Sequence, residues 1–257
     1  MASKPDNINM PNMAEEPLEI RLGYGPLEKR KEYSLPLTTR TPGADRELGV
    51  GFLLTEGVIK KSDDVAWVTH CSNTVAPQGS TKNSQNVLRV ELDEDISLDV
   101  EILKHHFNTH TNRGKSSLLT LQATRHDSIA TGSFDIESNA HIEFWQHLKH
   151  FSMEGGAHAA ALNREGQLKQ SYVDIGQHNA LDKLIGHYTL HSQLPMRDLG
   201  ILISNRISIE LVQKVFMAGC PAIVTMNPPS NLVIDTAGAY KVKIFAFSKE
   251  RRLQQYC

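Results

Sequence analysis

The chain has 257 residues, 40% hydrophobic and 22% charged, with a net charge of −2. This is the balance of a folded protein of about two domains, and so even a charge argues against bulk binding to nucleic acid. No apolar run approaches the roughly 18 residues that span a bilayer, and the polar, proline-bearing start of the chain has no hydrophobic signal core, so residues 1–15 read as a disordered terminus of a cytoplasmic protein. Residues 18–25, LEIRLGYG, alternate apolar and polar positions as a half-buried strand does. Thr41-Pro42-Gly43 is turn chemistry, after which Asp45 is expected to cap a helix that carries Leu48, Phe52 and Leu53 on one face and closes at Gly57. AWVTHC and NVLRVELD read as strands on either side of a Gly/Ser/Thr/Asn-rich loop. Residues 97–107 read as a helix leading into NTHTNRGKSS, residues 108–117, a stretch without one apolar side chain.

Beyond that loop the periodicity changes. A helix is expected over residues 139–150, then a glycine turn and a strand of short side chains in EGGAHAAAL, then a strand in QLKQSYVDI. In HNALDKLIGHYTLH, Ala180, Leu181, Leu184, Ile185 and Tyr188 fall on one helical stripe. LGILIS is a buried strand, SIELVQKVFMAG a helix capped by Ser208 and stopped by Gly219, and strand, helix, strand follow in PAIVTM, SNLVIDTAGAY and VKIFAF. Strands alternating with helices of this length imply an α/β fold with a mainly parallel sheet covered on both faces.

In such sheets ligands bind beyond the carboxyl ends of the strands. Three polar turns lie there: the first holds Gly155, Gly156 and His158; the second Asp174, Gly176, Gln177, His178 and Asn179; the third Ser204, Asn205, Arg206 and Ser208. Gly155-Gly156 and Gly176 permit tight turns and close backbone approach. Helix amino termini suit an anion, and Arg206 has the planar fork that matches a phosphate. Each also has a plainer reading. His178 and Asn179 can serve as helix caps, His158 as a hydrogen-bonded interior histidine, and Asp182 and Lys183 as helix-surface or loop-bracing charges. No metal-ligand set is legible: His187 and His191 share a helical face but lack the glutamate of a zinc helix, and the paired motifs of a zinc deaminase are absent. The carboxyl end, FAFSKERRLQQYC, is either a solvated basic tail or an edge that meets a phosphate-bearing ligand. The three cysteines, Cys71, Cys220 and Cys257, are scattered, as in a reducing compartment.

Together EEPLEIRLG, TRTPGADRELGVGFLLTEGVI, GGAHAAAL, VDIGQHNALDK, SNRISIELVQK and FSKERRLQQY resemble the formate dehydrogenase accessory protein (FdhD) family, in order and spacing, from about residue 16 to the end. The resemblance implies an α+β domain over residues 16–106, an interdomain region over 107–138, and a cytidine-deaminase-like three-layer α/β/α domain, without its zinc, over 139–257. It implies a homodimer that takes sulfur from a cysteine desulfurase as a persulfide and delivers it to the molybdenum (or tungsten) bis-guanine-dinucleotide cofactor of formate dehydrogenase. The family's cofactor contact corresponds to Phe247, Ser248, Lys249, Glu250, Arg251 and Arg252.

Family members carry a Ser-Ser-Cys-Gly-x-Cys-Gly-Lys loop between the domains. Aligned on Gly114-Lys115, this chain places His110 and Arg113 at the two cysteine positions. Gln177 and Asn205 also stand where the family has arginine and glycine. Sulfur transfer needs a thiolate to hold sulfane sulfur, and neither histidine nor arginine can form a persulfide. The chain therefore reads as a member of a sulfurtransferase family without the usual persulfide step, its loop a cationic lid over an anionic ligand. The rival readings are a reaction with His110, His158 or His178 as acid or base, and a non-catalytic cofactor carrier or chaperone for the apo-dehydrogenase.

Overall fold

The computed structural model describes residues 13–71, 86–96, 98, 100, 101, 103, 134–137, 139–248 and 250–257. The loop at 108–117, with His110 and Arg113, lies outside these, as do Lys249 and most of the helix expected over 97–107.

The first sheet is built from β1 (Glu16–Tyr24), β2 (Lys31–Ser34), β3 (Thr38–Arg40), β4 (Val65–His70) and β5 (Val87–Leu92). Its order is β2-β1-β5-β4, with β3 also pairing β1. Alternation sends Leu18, Ile20, Leu22, Leu88, Val90 and Leu92 into the core. Helix α1 (Asp45–Thr55) covers that inner face. Asp45 is not its cap: Ala44 is, in the left-handed conformation, and Asp45 begins the helix, held by Arg40 through bonds of 2.9 and 2.7 Å. Gly57 follows the helix end with φ 76°, as expected.

The second sheet contains β6 (Ala157–Leu162), β7 (Leu168–Asp174), β8 (Gly200–Ile203), β9 (Ala222–Thr225), β10 (Lys243–Phe247) and β11 (Leu253–Gln255), in the order β11-β10-β9-β8-β6-β7. It is mixed, not mainly parallel. Only β8, β9 and β10 run parallel, while β6 is antiparallel to β7 and β8, and β11 to β10. The physical reason is link length. The Asn163–Gly166 turn between β6 and β7, and residues 248–252 between β10 and β11, are too short for a parallel crossover.

Four helices flank this sheet: α2 (Ala140–Glu154), α3 (Gln177–Leu190), α4 (Ile209–Met217) and α5 (Asn231–Ala239). Alternate strand residues serve the two faces. Ala159, Ala161, Ile201, Ile203, Ile223 and Ile244 join the core that includes α3, α4 and α5. Ala160, Leu162, Leu202, Ala222, Val224, Phe245 and Phe247 join Phe144, Leu148 and Phe151 of α2. The result is an α/β fold, and the helix-side core is continuous with that of the first sheet. Ser208 caps α4, accepting from Leu211 N–H at 3.4 Å, and Gly219 ends the turn that follows with φ 66°. No helix among the described residues is long and apolar enough to cross a membrane.

Candidate functional site

Strand register sets the expected site residues in a row. Asp174 pairs with Ala157, Ala159 with Ile203, Ile203 with Thr225, and Thr225 with Ala246. The turns after β7, before β6 and after β8, β9 and β10 therefore share one edge of the second sheet. Four strand spacings make it about 19 Å long.

At the β6 end, Gly155 and Gly156 have φ 78° and 74°. A side chain at Gly156 would also collide with Met13, whose Sδ lies 2.3 Å from the ideal Cβ. Ser204 is tied to β6: its hydroxyl accepts from His158 N–H at 2.9 Å, and its own N–H donates to the His158 carbonyl at 3.2 Å. Arg206 is exposed at the entry to α4, and its carbonyl accepts from Gln177 Nε2 at 2.9 Å.

The carboxyl end is a hairpin, not a free basic tail. Ser248 N–H donates to the Arg252 carbonyl at 2.8 Å, Arg251 N–H to the Ser248 carbonyl at 2.9 Å, and Arg252 N–H to Ser248 Oγ at 3.3 Å. Phe247 is buried, but Glu250, Arg251 and Arg252 are exposed. The Arg251 guanidinium lies 5.2 Å from the ring centre of Trp145, which meets Phe247 edge-on at 5.1 Å. Arg251 and Arg252 line a cavity of about 440 Å³ with His141 and Glu137. Trp145, on α2, was not among the residues expected here; at the amino-acid level nothing ties this helix to the carboxyl end.

The second polar turn braces the fold. Asp174 is wholly buried. Its carboxylate accepts from Thr41 N–H (3.1 Å), Gly176 N–H (2.9 Å) and Asn179 Nδ2 (3.1 Å), and pairs with Lys183 Nζ at 2.7 Å. Asn179 also donates to the Thr39 carbonyl at 2.7 Å, and Lys183 to that of Thr41 at 2.8 Å. These bonds fasten the Thr41-Pro42-Gly43 turn to the start of α3. Gly176 is the α3 cap with an ordinary φ of −96°, so neither His178 nor Asn179 caps this helix and Gly176 makes no left-handed turn. His158 is the interior histidine: 3% exposed, stacked on Phe151 at 4.5 Å, its Nε2 2.9 Å from the Gly155 carbonyl. Burial lowers its pKa, against the pull of the Gly155 carbonyl and Glu154.

His178 leaves this group. It lines a different cavity, of about 260 Å³, together with Asn179, Glu56, Asp182 and Lys214. Its outer edge is open to solvent, while the protein packed on its inner side, and then the charge of Lys214, lower its pKa. Asp182 is not a surface charge. It is 2% exposed and meets Lys214 Nζ at 2.8 and 2.9 Å. Lys214 was missed, although its place beside Leu211 and Val215 on the apolar stripe of α4 was a visible signal. Burial opposes its ammonium, but Asp182 and Glu56 outweigh that and hold its pKa above the usual range.

All three cysteines are free. Burial pushes the Cys220 thiol up to about 12 and also raises that of Cys257, so neither is a ready thiolate. Among the described residues there is no group of three or more His, Cys, Asp or Glu placed to hold a metal.

The fold and its edge thus define an α/β protein whose second sheet carries, along one edge, two glycine-turn residues and three exposed arginines. Comparison with known proteins narrows this. The FdhD/NarQ family model matches residues 13–257. The sulfur carrier protein FdhD of Mycolicibacterium paratuberculosis is 35% identical over 252 residues, covering 95% of this chain and 89% of that one. Its namesake in Saccharolobus solfataricus is 30% identical over 247 residues, covering 94% and 87%. A crystal structure from Desulfotalea psychrophila, described as a formate dehydrogenase accessory protein, matches the fold with a TM-score of 0.64 at 20% identity, covering 95% of this chain and 86% of that one. The chain belongs to the FdhD/NarQ family.

Proposed function

We propose that this protein is an accessory factor for formate dehydrogenase that binds the molybdenum bis-guanine-dinucleotide cofactor as cargo, along the edge of the second sheet, without forming a persulfide on residues 108–117. The observation that carries the reading is the placement of Arg206, Arg251 and Arg252, all exposed, after β8 and β10. Those strands are two spacings apart, about 10 Å. A dinucleotide carries separated phosphates, and guanidinium groups match each with paired donors. Gly155 and Gly156, both with positive φ, turn the backbone before β6 on the same edge. The Mycolicibacterium and Saccharolobus relatives are named sulfur carriers, and family resemblance brings sulfur delivery into view; His110 and Arg113 at the cysteine positions remove its chemical means. The recipient is formate dehydrogenase, the setting the cytoplasm, and the working unit a homodimer. A cysteine desulfurase, the family's sulfur source, would have to deliver to some other group.

Calorimetric titration with guanosine diphosphate, at low and moderate salt, tests the reading. Binding should strengthen as salt falls and weaken about tenfold in Arg206→Ala and in Arg251→Ala/Arg252→Ala. No binding at millimolar nucleotide by the folded protein would refute it.

A further inference from the structure

The cavity behind His178 is lined by residues of the first sheet, α1, α3 and α4, and by Leu35 and Pro36; none of Arg206, Arg251 and Arg252 lines it. Its lining combines apolar Leu35, Leu48 and Phe52 with charged Glu56, Asp182 and Lys214. Lys214 gives its ammonium to Thr55 Oγ1 at 2.8 Å, to Asp182 at 2.8 and 2.9 Å, and to Glu56 at 3.2 Å. Three protons meet three groups, which leaves none for an incoming anion. Asp182 keeps capacity: Oδ1 accepts from Lys214 and from the Thr55 hydroxyl at 2.8 Å, whereas Oδ2 accepts from Lys214 alone among the described residues. Asp182 and Glu56 both face the Lys214 ammonium, and burial raises the pKa of Asp182 in spite of Lys214.

We propose that this cavity binds a small organic cation, its apolar body against Leu35, Leu48 and Phe52 and its ammonium or amidinium head on the free side of Asp182. The volume of about 260 Å³ holds a single ring with its head group, at the small end of ligand sites. Phe52 also presents a ring that a cation can approach, as Lys214 already does at 5.4 Å. An anionic head would meet a filled ammonium and two like charges.

The test uses the full-length protein and three single-ring probes of similar size, benzamidine, benzyl alcohol and benzoate, titrated by calorimetry and by ligand-observed NMR. Benzamidine should bind, benzyl alcohol about tenfold more weakly for want of the charge-assisted bond, and benzoate not at all. Thr38→Trp fills the cavity from β3 without touching the ion cluster, and should abolish benzamidine binding while guanosine diphosphate binding is unchanged. Asp182→Asn should weaken benzamidine about tenfold; if that variant does not fold, Thr38→Trp decides alone. Benzoate or benzyl alcohol binding as well as benzamidine, binding unaffected by Thr38→Trp, or no binding of benzamidine at millimolar concentration would each overturn the proposal. None of these outcomes bears on the nucleotide reading, whose arginines lie elsewhere.

Discussion

Gly51 of α1 and Gly186 of α3 touch backbone to backbone. A methyl group at Gly51 would sit 1.8 Å from the Asp182 carbonyl oxygen and 2.8 Å from Gly186 N; one at Gly186 would sit 1.8 Å from the Glu47 carbonyl oxygen and 2.8 Å from Gly51 N. The obstacle in each case is backbone, which no rotamer change relieves. The two helices join the first sheet to the second, so this crossing sets how the cavity walls meet. Gly186→Ala should force them apart and cost about 3 kcal/mol, lowering the melting temperature by roughly 6–12 °C. A melting curve that matches the parent protein would show that the helices pack further apart than described.

Lys183→Met should be costly for a different reason. Asp174 would stay wholly buried with its backbone donors but without its cation, and an uncompensated buried charge costs about 3–5 kcal/mol. Adding Asp174→Asn removes that charge, so the double variant should be more stable than the sum of the singles by roughly 1–3 kcal/mol. Chemical denaturation of the four proteins measures the coupling; strict additivity would mean that the pair is not formed.

The lowered pKa of His158 gives stability a pH dependence of definite sign. In the unfolded chain the imidazole takes up its proton near 6.5; in the fold it does so only at lower pH. Below 6.5 the unfolded state binds more protons, so stability falls as pH drops, by up to about 1.4 kcal/mol per pH unit for this residue. Above 6.5 both states are neutral and the effect vanishes. His178 and His187, lowered chiefly by burial, tilt the curve the same way. His158→Gln should flatten the acid limb without removing it, and parallel limbs in the two proteins would contradict the buried, neutral histidine.

Much of this was legible beforehand. Ser208, Gly219 and the two-faced burial of AHAAAL follow from cap chemistry and side-chain size, which act locally. The failures are long-range. Helix α3 is wedged between α1 and the strands β6 and β7, so Ala180 through Gly186 are all buried, whereas a one-stripe reading of this helix left Asp182 as a helix-surface or loop-bracing charge. Strand β3 is three residues long and exists through its pairing with β1, whose partner residues lie 20 to 24 positions away, a distance that no periodicity reveals. The same holds of Arg251 and Trp145, joined only when the hairpin folds back over α2. Of the expected site residues, those that kept an open surface are in turns at the sheet edge, whereas Asp174 and Asn179 were taken up in fastening Thr41 and Thr39.

Cysteine chemistry supplies a further expectation. The stretch at 108–117 contains no cysteine, and the Cys220 thiol, with a pKa of about 12, is not ionised at neutral pH. After incubation with a cysteine desulfurase and cysteine, intact mass and peptide mapping should find no sulfane sulfur on residues 108–117 and none on Cys220. Protein-bound sulfane sulfur that survives replacement of Cys71, Cys220 and Cys257 together would defeat this chemistry.

Arg251 separates binding from folding more cleanly than any other edge residue. Its φ of 61° is left-handed, a conformation that costs an ordinary residue about 1–2 kcal/mol and glycine nothing comparable. A turn selected for stability alone would carry glycine there, as the same edge does at Gly155 and Gly156. Arg251→Gly relieves that cost and gives up the contact with Trp145, worth about 0.5–1 kcal/mol at an exposed site. The two nearly offset, so the melting temperature should change by no more than about 2–4 °C, in the upward direction if at all. The guanidinium, however, is lost, and with it paired donors to phosphate. Guanosine diphosphate should therefore bind more weakly, and the residual binding should depend less on salt, since one fewer charge is engaged. Melting and calorimetry on the same preparation keep the two effects apart. Weaker binding at unchanged stability places the arginine in the ligand's path. Unchanged binding would move the phosphate contact to Arg206 or Arg252, and a large loss of stability would mean that the stack on Trp145, not the ligand, is why an arginine tolerates this backbone.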